Sequence, residues 1–176
     1  MHCGLGQDGN LYIIDVVRGK WDADDLLKTA NRVWNESQPW DVKRPAPLRY
    51  LAIEDKSSGT GLIQTLKNQR RVNVKAIPRP PGAGKGSRCL DAQSYIKNGR
   101  VMLPATFDTE GNKVDHVVNH LGQNIARTDW VLPFLAESAD FSADDSHKND
   151  DMLDCLFDAV ADMLINNGAS SIRSIL

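Results

Sequence analysis

Four acidic residues stand at the ends of predicted elements, and their carboxylate oxygens are ligands that suit divalent cations. Glu54 closes an apolar run at 50–53, where a carboxylate is costly to bury unless it is paired or bound to a metal. Asp150 and Asp151 begin the predicted last helix, and Asp154 lies on nearly the same face as Asp151. Such ligands could hold two hard cations about 3.5–4 Å apart, as hydrolysis of a phosphodiester by two metals requires. Taken singly, each residue also suits an ordinary role as a helix cap or a solvent-facing strand end.

The basic residues are concentrated in one segment and the acidic residues in another. Residues 67–88 include seven basic side chains and no acidic one, whereas residues 137–158 include eight acidic side chains and one lysine. This distribution suits a protein that holds a polyanion near metal-binding carboxylates, although two solvated faces would give the same pattern. The basic residues that we expect to grip a nucleic-acid duplex are Lys67, Arg70, Arg71, Lys85 and Arg88.

The composition is that of an ordinary globular chain. The 176 residues are 41% hydrophobic and 25% charged, which disfavours disordered, collagenous and repeat classes. No apolar run approaches the ~20 residues that span a bilayer, and residues 1–20 do not resemble a secretory leader. The three cysteines lack the spacing of a disulfide framework or a thiolate zinc site. We therefore expect a single domain over residues 1–176, without membrane contact, in a cytoplasm.

Hydrophobic patterning predicts an α/β protein. A turn at 7–10 and the apolar run at 11–17 indicate the second half of a hairpin whose first half is nearly absent, so that the hairpin at 1–17 is incomplete. Asp22 can cap a helix that continues to about Glu36. Residues 50–77 have the pattern of strand, small-residue turn, helix and strand, which is a βαβ unit. The expected core is a mixed β-sheet flanked by helices.

The remaining chain is predicted to be mainly helical, with few strands. The patterns predict a helix at 88–96 stopped by Gly99, a strand at 101–103, no firm structure at 105–128, a short helix at 130–136 interrupted by Pro133, and a long last helix with an apolar stripe from Met152 to Leu164. The tail at 167–176 is expected to fray.

Five separated segments resemble one known family. They are "DGNLYIIDVVRGKWD" (Asp8–Asp22), "LAIEDKSSGTGLIQTLK" (Leu51–Lys67), "PGAGKGSR" (Pro81–Arg88), "SYIKNGRVMLP" (Ser94–Pro104) and "NDDMLDCLFDAV" (Asn149–Val160). In this order, and over about residues 5 to 165, they resemble the C-terminal nuclease domain of the large subunit of tailed-bacteriophage terminases.

The resemblance implies a ribonuclease H-like fold that cleaves double-stranded DNA with Mg²⁺ or Mn²⁺. It also implies an ATPase domain that pumps the genome into a procapsid, a portal protein and a small terminase subunit as partners, and the bacterial host cytoplasm as location. Lys85 and Arg88 match family positions that are expected to approach DNA phosphates.

The same resemblance assigns the metal ligands. Glu54 matches the family's acidic position before the small-residue turn, with its neighbour Asp55 left open. Asp150 and Asp151 match the acidic pair at the start of the last helix. Asp151 is preferred as the catalytic ligand together with Glu54, and Asp154 would be an alternative or supporting ligand.

One feature departs from the family pattern. The family's first metal-binding aspartate lies on the first strand of the sheet, which this chain is expected to lack, so we expect an N-terminally truncated fold with weak or absent activity. The alternative is a non-catalytic DNA-binding or docking module, or a prophage remnant, that keeps the fold without the complete metal site.

Overall fold

The computed structural model describes residues 1–36, 48–79, 84–118, 122, 124–141 and 151–166. The chain divides into two compact units, one comprising Met1–Val17 with Ala83–Leu176 and the other Arg18–Gly82. Asp150, which is expected to be a metal ligand, and the tail at 167–176, which is expected to fray, lie outside the described residues.

The described elements are short strands and helices. In chain order they are β1 (His2–Leu5), β2 (Leu11–Asp15), α1 (Ala23–Glu36), β3 (Leu51–Glu54), α2 (Ser58–Gln69), β4 (Val74–Ile77), α3 (Lys85–Lys97), β5 (Val101–Met102), β6 (His116–Val118), β7 (Asn124–Arg127), α4 (Val131–Asp140) and α5 (Asp151–Val160), which continues as a π-helical turn (Ala161–Asn166).

The unit Arg18–Gly82 contains the predicted βαβ arrangement. β3 and β4 are paired in parallel along their whole length, and α2 connects them. Ile63 and Leu66 of α2 are buried, as the helical spacing of the apolar residues predicts. α1 begins after Asp22, whose Oδ1 accepts the backbone N–H of Asp25 at 2.8 Å, so the predicted N-cap is confirmed.

The other unit contains a mixed three-stranded sheet in the order β1-β2-β5. β2 is antiparallel to β1 and parallel to β5. Leu11 and Ile13 of β2 form one core with Phe134 of α4 and with Leu156 and Val160 of α5. The predicted apolar stripe of the last helix is therefore buried, and its burial fixes the helix whose first residues are acidic.

Strand pairing differs from the sequence-based expectation in two places. The first half of the N-terminal hairpin is not absent, because β1 pairs with β2 from His2 opposite Asp15 to Leu5 opposite Leu11. The described strands also form three small sheets, β1-β2-β5, β3-β4 and β6-β7, where a single mixed sheet was expected.

Residues 105–128 contain structure that the sequence pattern did not reveal. β6 and β7 form an antiparallel pair, and Phe107 and Lys113 form an isolated bridge before it. These strands have only three and four residues, and most of their side chains are exposed, so they lack a hydrophobic period long enough to recognise.

The helices follow the sequence pattern with shifted boundaries. α3 begins three residues earlier than predicted, at Lys85. Pro133 does not interrupt α4, because it lies in the first turn, where a missing backbone N–H removes no helical hydrogen bond. In the described part of the chain, no helix is long and apolar enough to cross a membrane.

Candidate functional site

Glu54 lies at the carboxyl end of β3 and is held by one arginine. Arg79 Nε donates a hydrogen bond to Glu54 Oε1 at 2.9 Å. The Arg79 side chain is 12% exposed, whereas the Glu54 side chain is 47% exposed, so the carboxylate still faces water. The charges of Arg79 and Glu54 therefore compensate each other. Because Glu54 is partly exposed, its carboxylate stays accessible to an ion from solvent.

The neighbouring Asp55 has a different local role. Its Oδ1 accepts a hydrogen bond from Thr60 Oγ1 at 2.8 Å, and its backbone N–H donates to the Ile77 carbonyl oxygen at 2.9 Å. Asp55 thus ties the first turn of α2 to the end of β3, which makes Glu54 the more available of the two carboxylates.

The small-residue turn after β3 has a steric cause. A Cβ at Gly59 would overlap the backbone carbonyl oxygen of Glu54, whereas a Cβ at Gly61 would meet nothing within 4 Å. Only glycine therefore allows α2 to approach the strand end that carries Glu54.

Asp151 and Asp154 lie in the first turn of α5, in the other unit. Asp151 is exposed. Asp154 faces α3, where its Oδ1 lies 3.0 Å from Arg88 Nη2 and its Oδ2 lies 3.6 Å from Lys85 Nζ. Arg88 Nη1 also lies 3.3 Å from Asp158 Oδ1, so one guanidinium links two carboxylates one turn apart.

This arrangement joins residues that the sequence analysis had assigned to different roles. Lys85 and Arg88 were expected on DNA and Asp154 near metal, but the three form one ion-pair cluster on α3 and α5. The Arg88 side chain is only 17% exposed. Positive charge beside the Asp154 oxygens opposes the binding of a further cation there, so the exposed Asp151 is the more accessible of these two carboxylates.

The other predicted DNA contacts differ from this cluster. Lys67, Arg70 and Arg71 lie at the C-terminal end of α2 or just after it and are exposed. Arg70 ends the helix in the left-handed conformation with φ 53°, and its backbone N–H donates to the Lys67 carbonyl oxygen at 3.2 Å. Across the described ranges none of the three side chains forms an ion pair, so their charges face solvent.

Two buried acids, Glu137 of α4 and Asp162, were not singled out from the sequence, and Glu137 contacts the start of α5. Its Oε1 accepts the backbone N–H groups of Met152 at 2.7 Å and Leu153 at 3.2 Å. Its charge was counted as part of the acidic segment. The signal was nevertheless present, because Glu137 follows the buried residues Val131 and Phe134 at helical spacing and so lies on the inner face.

The donor set can be tested against the cations that were expected. Mg²⁺ and Mn²⁺ prefer carboxylate oxygens, which Glu54 and Asp151 supply from exposed side chains. Among the residues that the structure describes, no three His, Cys, Asp or Glu side chains are grouped closely enough to hold a metal ion. The donor chemistry of Glu54 and Asp151 fits a hard cation, and their meeting in one pocket stays a prediction.

The described architecture is that of an α/β protein. It includes a parallel βαβ unit and a mixed three-stranded sheet, and acidic residues lie at the end of β3 and at the start of α5. A family model described as the Terminase RNaseH-like domain matches residues 45–162. This match covers about two thirds of the chain and contains every candidate site residue named above, so the chain belongs to the Terminase RNaseH-like domain family.

The family assignment confirms the resemblance seen in the sequence. A terminase RNase H-like domain indicates nuclease-type hydrolase activity in general, within a DNA-packaging complex. No curated protein and no solved structure matches the chain.

Proposed function

We propose that this chain is the metal-dependent endonuclease domain of a phage terminase large subunit and hydrolyses phosphodiester bonds of double-stranded DNA. The observation that carries the proposal is the family match over residues 45–162, which includes both the strand end at Glu54 and the helix start at Asp151. Glu54 and Asp151 are the proposed catalytic ligands, with Asp150 and Asp154 as further ligands. The proposed partners are the terminase ATPase domain, the portal protein and the small terminase subunit.

The proposed metal chemistry uses Mg²⁺ or Mn²⁺ bound through carboxylate oxygens. When bound as a pair, such ions lower the pKa of an attacking water and stabilise the leaving oxygen of the phosphodiester. The protein supplies the placement of the ligands. Arg79 orients the Glu54 carboxylate through Oε1, and the buried stripe of α5 fixes the helix that carries Asp151.

The proposed DNA contacts are electrostatic. Lys67, Arg70 and Arg71 present uncompensated charge to solvent and would bind phosphates without reading bases. Lys85 and Arg88 remain part of the proposal, but their pairing with Asp154 means that DNA would have to compete with a carboxylate for them.

The metal ligands can be tested by thermal melting of the full chain. Mn²⁺ that binds only the folded state raises the melting temperature. We expect this rise to fall by at least half in Glu54→Gln and in Asp151→Asn. Asp24→Asn is the matched control, because Asp24 is likewise an exposed acid in the first turn of a helix. An unchanged Mn²⁺-induced rise in both variants would show that the metal site is wrongly assigned.

A second experiment separates the nuclease from a non-catalytic DNA-binding module. Plasmid nicking is measured in Mn²⁺ and gel retardation in chelator, both with the full chain. Nicking that Asp151→Asn abolishes supports the nuclease. Retardation without nicking favours the binding module. In that case the ion pair of Asp154 with Arg88 would serve only the structure of the module.

A further inference from the structure

Glu137 is a buried acid that contacts the start of another helix. Only 7% of the residue is exposed, and it lies on α4 beside the buried Phe134. Its Oε1 accepts two backbone N–H groups, those of Met152 and Leu153, at 2.7 and 3.2 Å. These are the second and third residues of α5.

The physical effect of this contact is to cap α5 from outside the helix. The first N–H groups of an α-helix have no partner within the helix, and a side chain that accepts them stabilises the helix start. A carboxylate is especially suited, because the N-terminus of a helix carries a partial positive charge. Two charge-assisted hydrogen bonds also hold the first turn in one position, whereas a helix terminus exposed to solvent would not be held in this way.

We infer that Glu137 is a positioning residue for the proposed cation site: it fixes the first turn of α5 and thereby the direction of the Asp151 carboxylate. Asp151 immediately precedes the two amides that Glu137 binds. Because the Cα–Cβ direction follows from the backbone, a fixed first turn leaves Asp151 few directions to point. The inference rests on the proposed function, since it assigns a role toward the same divalent cation.

Glu137 also contributes a negative charge near the helix start. Glu137→Gln keeps an oxygen acceptor at the same reach, but it is neutral and has an amide NH₂ in place of the second carboxylate oxygen, so the hydrogen bonds are tested largely apart from the charge. Glu137→Ala removes both. Removing a residue that holds a metal ligand in position typically lowers the metal affinity by about 10–100-fold.

The test measures Mn²⁺ binding to the full chain by electron paramagnetic resonance of free Mn²⁺. We expect the dissociation constant to rise at least about tenfold in Glu137→Ala and by less in Glu137→Gln. Val160→Ala is the control, since Val160 is fully buried in the last turn of α5 and its truncation destabilises the same helix away from Asp151. We expect this control to stay within about twofold of the unsubstituted chain. Glu137→Gln keeps the test usable if Glu137→Ala does not fold.

Amide hydrogen exchange provides a readout that needs no metal. We expect faster exchange at Met152 and Leu153 in Glu137→Ala, with exchange at Phe157 unchanged. Equal losses of Mn²⁺ affinity in Glu137→Ala and Val160→Ala would overturn the positioning role and leave the metal site in place. Absence of Mn²⁺ binding by the unsubstituted chain would overturn the proposed function and this inference together.

Discussion

The cations assigned to DNA from the sequence fall into two chemical situations. Lys67, Arg70 and Arg71 face solvent, whereas Arg88 is largely buried between Asp154 and Asp158. Their residue types are the same, and the difference comes only from the packing of α3 on α5. A basic segment in a sequence therefore overstates the number of cations that are ready to bind phosphate.

Arg88 should matter for stability and Arg71 should not. Arg88→Ala leaves two half-buried carboxylates beside each other without their shared cation, and we expect a loss of about 1–3 kcal/mol in the free energy of unfolding. Arg71→Ala should change it by less than about 0.5 kcal/mol, as is usual for exposed positions. Urea unfolding of both variants measures this. Equal effects would contradict the ion-pair cluster.

Cys3 gives a pH dependence with a defined sign. Desolvation by burial raises the pKa of its thiol from the ordinary 9.0 to about 12. The neutral thiol is favoured in the folded state. Its contribution to the free energy of unfolding is therefore complete below pH 9 and is lost as the pH rises towards 12. We expect the chain to lose stability between pH 9 and 11 more steeply than Cys3→Ala, by at most about 1.4 kcal/mol per pH unit. Parallel pH profiles in urea unfolding would show that the thiol is not responsible.

At the scale of elements, local patterns predicted some parts well and others not at all. The βαβ unit and the last helix were predictable, because their apolar residues recur with a clear period and the turn after β3 is rich in small residues. The β6-β7 pair was not, because its strands are short and exposed. The cap of α5 by Glu137 was missed because it depends on which helix packs against which, and a single sequence does not contain that information.

The turn after β3 offers a matched pair of substitutions. Gly59→Ala should destabilise the chain by about 2 kcal/mol or more, since the new Cβ meets the rigid carbonyl oxygen of Glu54. Gly61→Ala should stabilise it by about 0.5–1 kcal/mol, because alanine is the better helix former and the site is open. Thermal melting of the two variants is the measurement. Similar shifts would argue against the close approach of α2 to Glu54.

At the scale of the whole molecule, the charge distribution is more informative than the net charge. The formal net charge of −2 would not by itself favour DNA binding. The exposed cations at the end of α2 form a local basic patch of Lys67, Arg70 and Arg71. Their clustering was visible in the sequence, and their exposure needed the structure.

The basic patch should determine the salt dependence of DNA binding. Replacing Lys67, Arg70 and Arg71 by alanine should reduce the slope of log K against log salt by about 2–3, as the loss of three phosphate contacts implies. A triple variant with the same change in charge, Lys28→Ala with Arg32→Ala and Lys97→Ala, should change the slope by less than about 1. The slope is read from fluorescence anisotropy with duplex DNA in chelator. Equal slopes in the two triple variants would mean that net charge alone matters.

The most direct test of the proposed function asks whether Glu54 and Asp151 bind the same ions. Substoichiometric Mn²⁺ is added to the isotopically labelled full chain, and paramagnetic broadening of amide resonances is followed, with Mg²⁺ as the diamagnetic reference. We predict that the amides of Glu54 and Asp151 broaden together with one midpoint, and that Asp151→Asn removes the broadening at both. Broadening at one of the two positions alone, at any Mn²⁺ concentration, would contradict a shared metal centre.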